Sequence, residues 1–362
     1  MSYLRSRKWW FRVALGILWT PIAAEFFLRF LAPVPMLPRY IEAGPHGVRS
    51  NMPNQEYRHR TPEYEVELRT NSAGMRADEE YPLEKPRDTR RIVVLGDSFS
   101  MGYGVDFEDT SLKQLEVDLE SKLDCDVDVI NLSVSGFGPA EEVIVLEEVG
   151  LAYSPDLVIQ YYTSNDPVDD SRSSLYALRD GRLERDRDAY LPAVKIREFL
   201  FSFAAYRWLA GESHLYNVAR DLAGSKAKEI LAMMRSFRSV PEAPGDSDSA
   251  TDQKLAREEL TLSILQRMQD LSRDAGAEFL ILSIPVRRSR TEFVEYFPAS
   301  AKDLPVVSPI TRFEQADGEM LYWERSHGHW TPLGCRLVAD TLLDAIVSEG
   351  LLGEPCRTPA DD

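Results

Sequence analysis

The chain has 362 residues, enough for one large domain or two small ones, and its apolar content of 44% is typical of a globular protein. Its formal net charge at pH 7 is −17. This charge argues against binding to nucleic acid, because phosphate backbones call for basic grooves. It also disfavours strongly acidic polymers as substrates.

The N-terminal segment combines basic and apolar residues. Residues 1–35 contain a single acid and five basic residues, which are Arg5, Arg7, Lys8, Arg12 and Arg29. The uninterrupted apolar centre, 13–24, has only 12 residues, which suits a signal-peptide core better than a full span of about 20. Because 22–24 makes a poor cleavage site, we expect an uncleaved anchor over 1–32. The alternative is a buried amphipathic helix.

The basic start predicts a cytoplasmic N-terminus, with the rest of the chain periplasmic or extracellular. Residues 33–88 are then a linker and N-terminal extension. Prolines are frequent in 33–64, which predicts extended chain, and the alternating pattern of 64–70 predicts a strand.

Residues 89–350 alternate between strand and helix patterns, which predicts an α/β fold with a mostly parallel sheet. The predicted strands are 91–96, 127–131, 156–162, 278–284 and a short one around 320–323. The predicted helices are near 109–122, 139–151, 253–275 and 332–348.

An insertion at about 167–252 interrupts this pattern. It contains an aromatic helical stretch, 199–208, and an acidic segment, 241–252, which we expect to be a loop. We interpret the insertion as a lid or substrate-shaping element, although its aromatic stretch could instead pack on the core. Residues 351–362 are a C-terminal tail.

Cysteine spacing predicts no metal site, and no cofactor is expected. The chain has three cysteines, so at least one thiol stays unpaired in an exported protein. Cys335 and Cys356 could form a bridge between the last helix and the tail, but the sequence does not decide the pairing.

Small and polar residues follow three of the predicted strands. Ser98 lies in Gly96–Ser100, directly after the first strand of the predicted sheet, where open α/β sheets bind ligands. A serine there can act as a nucleophile, although Gly, Asp and Ser also form plain turns. Gly136 lies in 131–138, Asn165 in 164–166 and His329 in 329–334. Together they could supply a general base and donors for an oxyanion.

These four blocks, in this order, resemble the SGNH (GDSL-type) hydrolase superfamily, in a membrane-anchored, exported branch. The resemblance covers roughly 65–170 and 275–350, and includes the stretches 70–76 and 154–158. It implies a three-layer α/β/α, flavodoxin-like fold. It also implies the catalytic set of Ser98 as nucleophile, His329 as base, and Gly136 and Asn165 as oxyanion donors. Asp97 is expected to fix the turn by hydrogen bonds.

One departure concerns the acid that usually precedes the histidine by two or three residues. Here those positions are His327 and Ser326, and the nearest upstream acids include Glu324. An acid from elsewhere or a backbone carbonyl could orient His329, or activity could be weakened. His327 is a rival base, but His329 precedes Thr331, which we expect to cap the last helix.

The resemblance implies a serine esterase that removes small acyl groups, such as acetyl, from a carbohydrate or another exported substrate. One alternative is an O-acetyltransferase of a surface or exported polysaccharide, which uses the same catalytic parts. Another is a non-catalytic carbohydrate-binding or assembly protein that keeps the fold. The expected partners are the acylated substrate and the membrane, through the anchor.

Overall fold

A computed structural model describes residues 2–34, 36, 40–192, 194–220, 222–223, 247–301, 303–326, 328–353 and 356. The chain divides into two compact units. The sheet unit comprises Tyr40–Tyr57, Val66–Lys195 and Asp246–Asp362. The helical unit comprises Met1–Arg39, Arg58–Glu65 and Ile196–Gly245.

The strands are, in chain order, β1 (Ile41–Ala43), β2 (Arg49–Asn51), β3 (Glu56–Arg60), β4 (Glu65–Arg69), β5 (Thr89–Leu95), β6 (Asp126–Asn131), β7 (Leu157–Tyr162), β8 (Tyr176–Arg179), β9 (Arg182–Arg185), β10 (Glu278–Ser283), β11 (Val286–Arg287), β12 (Phe293–Val294) and β13 (Val306–Val307). The helices are α1 (Ser2–Phe30), α2 (Ser111–Leu123), α3 (Pro139–Glu148), α4 (Asp166–Ser173), α5 (Val194–Phe201), α6 (Ala204–Glu212), α7 (Ser247–Asp274), α8 (Ile310–Gln315) and α9 (Pro332–Glu349).

Five strands form the central sheet, in the order β13–β10–β7–β5–β6. Every pair of neighbours in it is parallel. Read from β6 and numbered along the chain, the order is 2-1-3-4-5, which is the flavodoxin-like arrangement. In this arrangement the ligand crevice lies at the carboxyl ends of the first and third strands, on either side of the point where the strand order reverses.

Helices cover both faces of the sheet, as successive residues of β5 illustrate. Ile92 and Val94 belong to a core that includes side chains of α2 and α9. Val93 and Leu95 point the other way, into a core that includes side chains of α3 and α7. A strand that is buried on both faces reads as a continuous apolar run, which is how β5 appears in the sequence. The predicted three-layer α/β/α fold is therefore confirmed.

Three details differ from the sequence-based prediction. The stretch 33–64, predicted to be an extended linker, contains β1, β2 and β3. The predicted loop 241–252 is wrong from Ser247 onward, where α7 begins, and 241–246 lie outside the described residues. The predicted strand at 320–323 is a single bridge between Tyr322 and Trp330.

The cysteine pairing also differs from the suggested one. Cys125, directly before β6, is bonded to Cys356 in the C-terminal tail. Cys335 is a buried free thiol on α9. The bridge joins residues 231 positions apart, so it attaches the tail to the sheet unit.

Helix α1 contains a candidate membrane span, Lys8–Phe30, with a mean hydropathy of 1.5 in its most apolar window. None of that window is buried against protein. A buried amphipathic helix, the alternative considered above, would instead hide one face, so the structure contradicts that alternative. Length and composition alone fit either a membrane anchor or a signal sequence.

Candidate active site

Ser98 lies in a tight turn directly after β5. The Asp97 carboxylate accepts a hydrogen bond from the Phe99 backbone N–H at 2.8 Å. The backbone carbonyls of Asp97 and Ser98 accept from the N–H groups of Met101 and Tyr103, each at 3.1 Å. Asp97 therefore fixes the turn, as predicted. Burial raises the pKa of its carboxyl to about 6.

The structure brings Ser98 and His329 together. The Ser98 Oγ lies 2.7 Å from the His329 Nε2, within hydrogen-bonding distance. The rings of Phe99 and Tyr103 flank the imidazole, with centroids 5.0 and 5.1 Å from it. The histidine backbone is also fixed, because its carbonyl accepts a 2.8 Å hydrogen bond from the Trp323 N–H.

The helix after His329 begins as the sequence predicts. The Thr331 hydroxyl accepts a hydrogen bond from the Gly334 N–H at 3.3 Å, and Pro332 occupies the first helical position. This cap fixes the start of α9 two residues after the imidazole. The proposed base thus sits at a rigid junction between a bridge and a helix.

The loop after β6, which contains Gly136, is hydrogen-bonded to the turn that contains Ser98. The Val134 N–H donates a hydrogen bond to the Gly96 carbonyl at 3.2 Å. The Ser100 hydroxyl donates to the Ser133 hydroxyl at 2.7 Å. Gly136 itself has a φ of +79°, a left-handed conformation that glycine adopts without a side-chain penalty. The two loops therefore form one connected surface at the carboxyl edge of the sheet.

Arg49, on β2, holds the Gly136 loop and was not singled out from the sequence. Its guanidinium donates to the backbone carbonyl of Gly136 at 2.6 Å and to that of Ser135 at 3.4 Å. It also forms a 2.7 Å salt bridge with the buried Glu141 on α3. The contact spans more than 80 residues of sequence, and no local pattern around Arg49 signals it.

Asn165 follows β7 and occupies the position directly before α4, where its side chain makes no capping hydrogen bond. Its exposed side-chain amide donates to the Asp169 carboxylate at 2.6 Å. An amide NH₂ group has two hydrogens, so this bond leaves one for another acceptor. Asn165 thus occupies the third adjacent strand end, after the β5 and β6 loops that hold Ser98 and Gly136.

Several carboxyl groups are buried behind these loops. Asp170 accepts a hydrogen bond from the Ala140 N–H at 2.7 Å and another from the Thr261 hydroxyl. Burial raises its pKa to about 7. Burial also raises the pKa of Glu142 and that of Asp166 well above the ordinary range. These acids stabilise the loops as hydrogen-bond acceptors in a poorly solvated layer.

The sequence left open which acid, if any, orients His329. Glu324, the nearest acid upstream, forms a 2.6 Å salt bridge with Arg290. Ser326 is fully buried, and His327 lies outside the described residues. Within the described part of the chain, no group of three or more His, Cys, Asp or Glu side chains could hold a metal ion.

No protein-family model matches the chain, and no curated protein matches it. Similar solved structures do exist. "TesA" is 16% identical, covering 73% of this chain and all of its own, with a TM-score of 0.37. A psychrotrophic esterase, EstA from Pseudoalteromonas sp., is 14% identical over 72% of this chain and 98% of its own, with a TM-score of 0.38. A GDSL-like lipase from Bacteroides thetaiotaomicron is 13% identical over 72% and 89%, with a TM-score of 0.34.

These structures are only distantly similar to this chain. With TM-scores and identities this low, they carry no weight for the substrate. The strand order and the site define the class instead. This is a flavodoxin-like α/β protein with a serine–histidine pair at the carboxyl edge of its sheet.

Proposed function

We propose that this protein is a serine ester hydrolase of the SGNH (GDSL) type, with Ser98 as nucleophile and His329 as general base. The observation that carries the proposal is the 2.7 Å contact between the Ser98 Oγ and the His329 Nε2. A serine hydroxyl is a weak nucleophile until a base can accept its proton. A non-catalytic protein that merely kept the fold would have no need of this pair.

The reaction follows from the positions of these atoms. The Ser98 Oγ attacks the ester carbonyl carbon as its proton passes to the His329 Nε2. The carbonyl oxygen becomes an oxyanion, for which the N–H groups of Ser98 and Gly136 and the amide of Asn165 are the proposed donors. The protonated His329 then gives its proton to the leaving alkoxide, which departs as an alcohol. Water, deprotonated by the same imidazole, then attacks the acyl carbon and breaks its bond to the Ser98 Oγ. The acyl group leaves as a carboxylic acid, and the imidazolium returns its proton to the Oγ.

The acyl group we propose is small, with acetyl as the leading candidate. The aromatic rings of Phe99, Tyr103 and Trp330 line the space beside the Ser98–His329 pair. The resemblance to esterases of this type favours a carbohydrate as the group that carries the ester.

The proposed location is the membrane, with the sheet unit outside the cytoplasm. The basic residues before the apolar part of α1 support this orientation. The Cys125–Cys356 bridge also supports it, because disulfides persist mainly in oxidising compartments. Reporter fusions after residue 40 should be active only when exported, and a reporter active solely in the cytoplasm would reverse the orientation.

The activity is tested with the detergent-solubilised full chain. A serine-directed phosphonate should label it once, and Ser98→Ala should abolish both labelling and turnover of a chromogenic acetyl ester. Ser100→Ala is the matched control from the same turn, because its buried hydroxyl is bonded to Ser133 and should not react. Labelling that survives Ser98→Ala would refute the assignment.

The same assay separates water from sugar as the acyl acceptor. Acetyl-ester turnover is measured with and without an added oligosaccharide, and the products are identified by mass. Free acetate with an unmodified sugar identifies a hydrolase. An acetylated sugar formed through Ser98 would instead identify an O-acetyltransferase, which uses the same pair and the same oxyanion donors.

A further inference from the structure

The helical unit exposes more large apolar side chains than its α1 helix alone accounts for. Helices α5 and α6 and the turn between them expose four large apolar side chains, each by more than half of its surface: Ile196, Phe199, Phe203 and Trp208. Two of the rings, those of Phe199 and Phe203, lie in contact with centroids 5.3 Å apart. Exposed groups of large apolar side chains commonly mark a binding surface. These side chains therefore indicate a surface that another molecule covers.

Near its C-terminal end, helix α1 contacts the residues that directly follow α6 through the partly buried side chain of Glu25. The Glu25 carboxylate accepts hydrogen bonds from the backbone N–H groups of His214 and Leu215, at 3.1 and 2.8 Å. It also accepts from the Ser213 hydroxyl at 2.9 Å and forms a 3.0 Å salt bridge with Arg29. Glu25 thus caps the helical residues 214–220 that follow α6, and a charge that would be costly in lipid is fully hydrogen-bonded.

Other contacts strengthen the same junction. Arg29 donates to the backbone carbonyl of Glu212, at the end of α6. The fully buried Asn217 amide donates to the carbonyls of Ala210 and Ser213 at 3.1 and 2.9 Å. The α5–α6 segment is therefore attached to the end of the apolar helix rather than hanging from it as a free loop.

The helical unit, which exposes these apolar side chains, also differs in charge from the rest of the chain. The helical unit has 15 Lys and Arg against 8 Asp and Glu, a net charge of +7. The remainder of the chain, with a net charge of −24, makes up the total of −17. A basic unit with exposed aromatic side chains has the composition of an interfacial membrane segment.

We infer that the α5–α6 segment is a second membrane contact, lying in the headgroup region of the bilayer that α1 enters. The exposed side chains of Phe199, Phe203 and Trp208 would lie at the boundary between headgroups and acyl chains, where aromatic side chains are favoured. The occupant is lipid because these side chains belong to the same basic unit as the apolar helix α1, to which their segment is hydrogen-bonded. This inference does not rest on the proposed esterase activity, and it gives the aromatic stretch a role other than a substrate lid.

The test uses a fluorescent probe on single introduced cysteines in the full chain. Phe199→Cys, Phe203→Cys and Trp208→Cys are labelled with an environment-sensitive dye. The native cysteines do not compete, because Cys125 and Cys356 are bonded and Cys335 is buried. Val117→Cys is the matched control, an exposed apolar residue of α2 in the sheet unit. Each protein is reconstituted in phosphatidylcholine vesicles, with and without phosphatidylglycerol.

Probes at the three aromatic positions should shift to shorter emission wavelength. Brominated acyl chains should quench them several-fold more than the probe at Val117, and phosphatidylglycerol should strengthen the quenching. Equal quenching at all four positions would overturn the inference. So would a shift that lipid bromine does not quench and that grows with the ratio of protein to lipid, because a second copy of the chain would then cover these positions.

Discussion

The Oγ of Ser98 and the Nε2 of His329 lie 2.7 Å apart, although 231 residues separate them in the chain. Ser98 comes from the turn after β5, the first strand of the central sheet, and His329 from the segment just before α9, the last helix. Neither local segment can produce this contact alone. The pair forms only when the fold brings these two distant segments together.

Replacing the proposed base should nearly abolish turnover. We expect His329→Ala to lower kcat by about 10⁴-fold, the usual effect of losing a member of a catalytic triad. His327→Ala should cost far less, and His327→Asp would raise kcat only if the new carboxylate reached the far ring nitrogen. Steady-state rates on one acetyl ester decide between the two histidines. If His327→Ala were inactive and His329→Ala nearly as active as the unchanged protein, the base would be misassigned.

Gly136 allows a prediction with a matched glycine control. Gly136→Ala forces a side chain onto a φ of +79° and places its Cβ 3.3 Å from the Arg49 Nη1. Gly181, in the turn between β8 and β9, has a φ of +73° and nothing within 4 Å of an added Cβ. Both variants should lose stability through backbone strain, on the order of 1–3 kcal/mol.

Only Gly136→Ala should also lower kcat, because only this loop is proposed to hold the oxyanion. The two thermal midpoints and the two kcat values are measured side by side. An equal kcat in both variants would remove Gly136 from the oxyanion site and leave it as a plain turn glycine.

Arg49 should act by positioning the Gly136 loop rather than by touching the ester. Lysine cannot reproduce the fork with which this guanidinium holds Glu141 and two backbone carbonyls. We expect Arg49→Lys to lower kcat by up to about 100-fold, since small displacements of catalytic groups have effects of this size. KM for a small acetyl ester should change little.

Arg91 provides the comparison for a buried arginine outside the site. Its guanidinium is fully buried, bonded to Asp128 at 2.9 Å, and lies toward the N-terminal end of β5, the end away from Ser98. Arg91→Lys should lower the thermal midpoint without a specific loss of kcat. If both arginine variants lost kcat only in proportion to folded protein, Arg49 would be purely structural.

The sequence predicts features that are encoded by neighbouring residues better than contacts between residues far apart in the chain. Local patterns predicted the β5 strand, the Asp97 turn and the Thr331 cap, because each is encoded within a few neighbouring residues. The order of the blocks then placed Ser98 and His329 at one edge of the sheet.

Local patterns do not predict the long-range contacts. The salt bridge of Arg49 with Glu141 joins two residues whose surroundings carry no distinguishing pattern. Three cysteines allow three pairings, and only the folded position of the tail beside β6 selects Cys125 with Cys356. Proline-rich composition concealed β1 to β3, which are short strands of three to five residues.

The buried carboxyl groups behind the site predict how stability changes with pH. Burial raises the pKa of Asp170 in the folded protein from 3.8 to about 7, and that of Asp97 from 3.8 to about 6. The folded state therefore binds protons that the unfolded state has already released. The resulting stabilisation is present at about pH 4 and is lost as the pH rises through 6 and 7. The thermal midpoint should therefore decrease as the pH is raised from about 4 to about 8.

Asp170→Asn should flatten this decline. The asparagine carbonyl can still accept from the Ala140 N–H, and the Thr261 hydroxyl can rotate to accept from the new amide. Removing this titration should recover up to about 4 kcal/mol of the loss above pH 7, since one pKa unit is worth about 1.4 kcal/mol. Asp180→Asn, at an exposed turn position that tolerates asparagine, removes the same charge and should leave the slope unchanged. Thermal midpoints of the three proteins across this pH range are compared in one detergent. An unaltered slope in Asp170→Asn would mean that this carboxyl is already ionised in the folded protein at low pH, contrary to its burial.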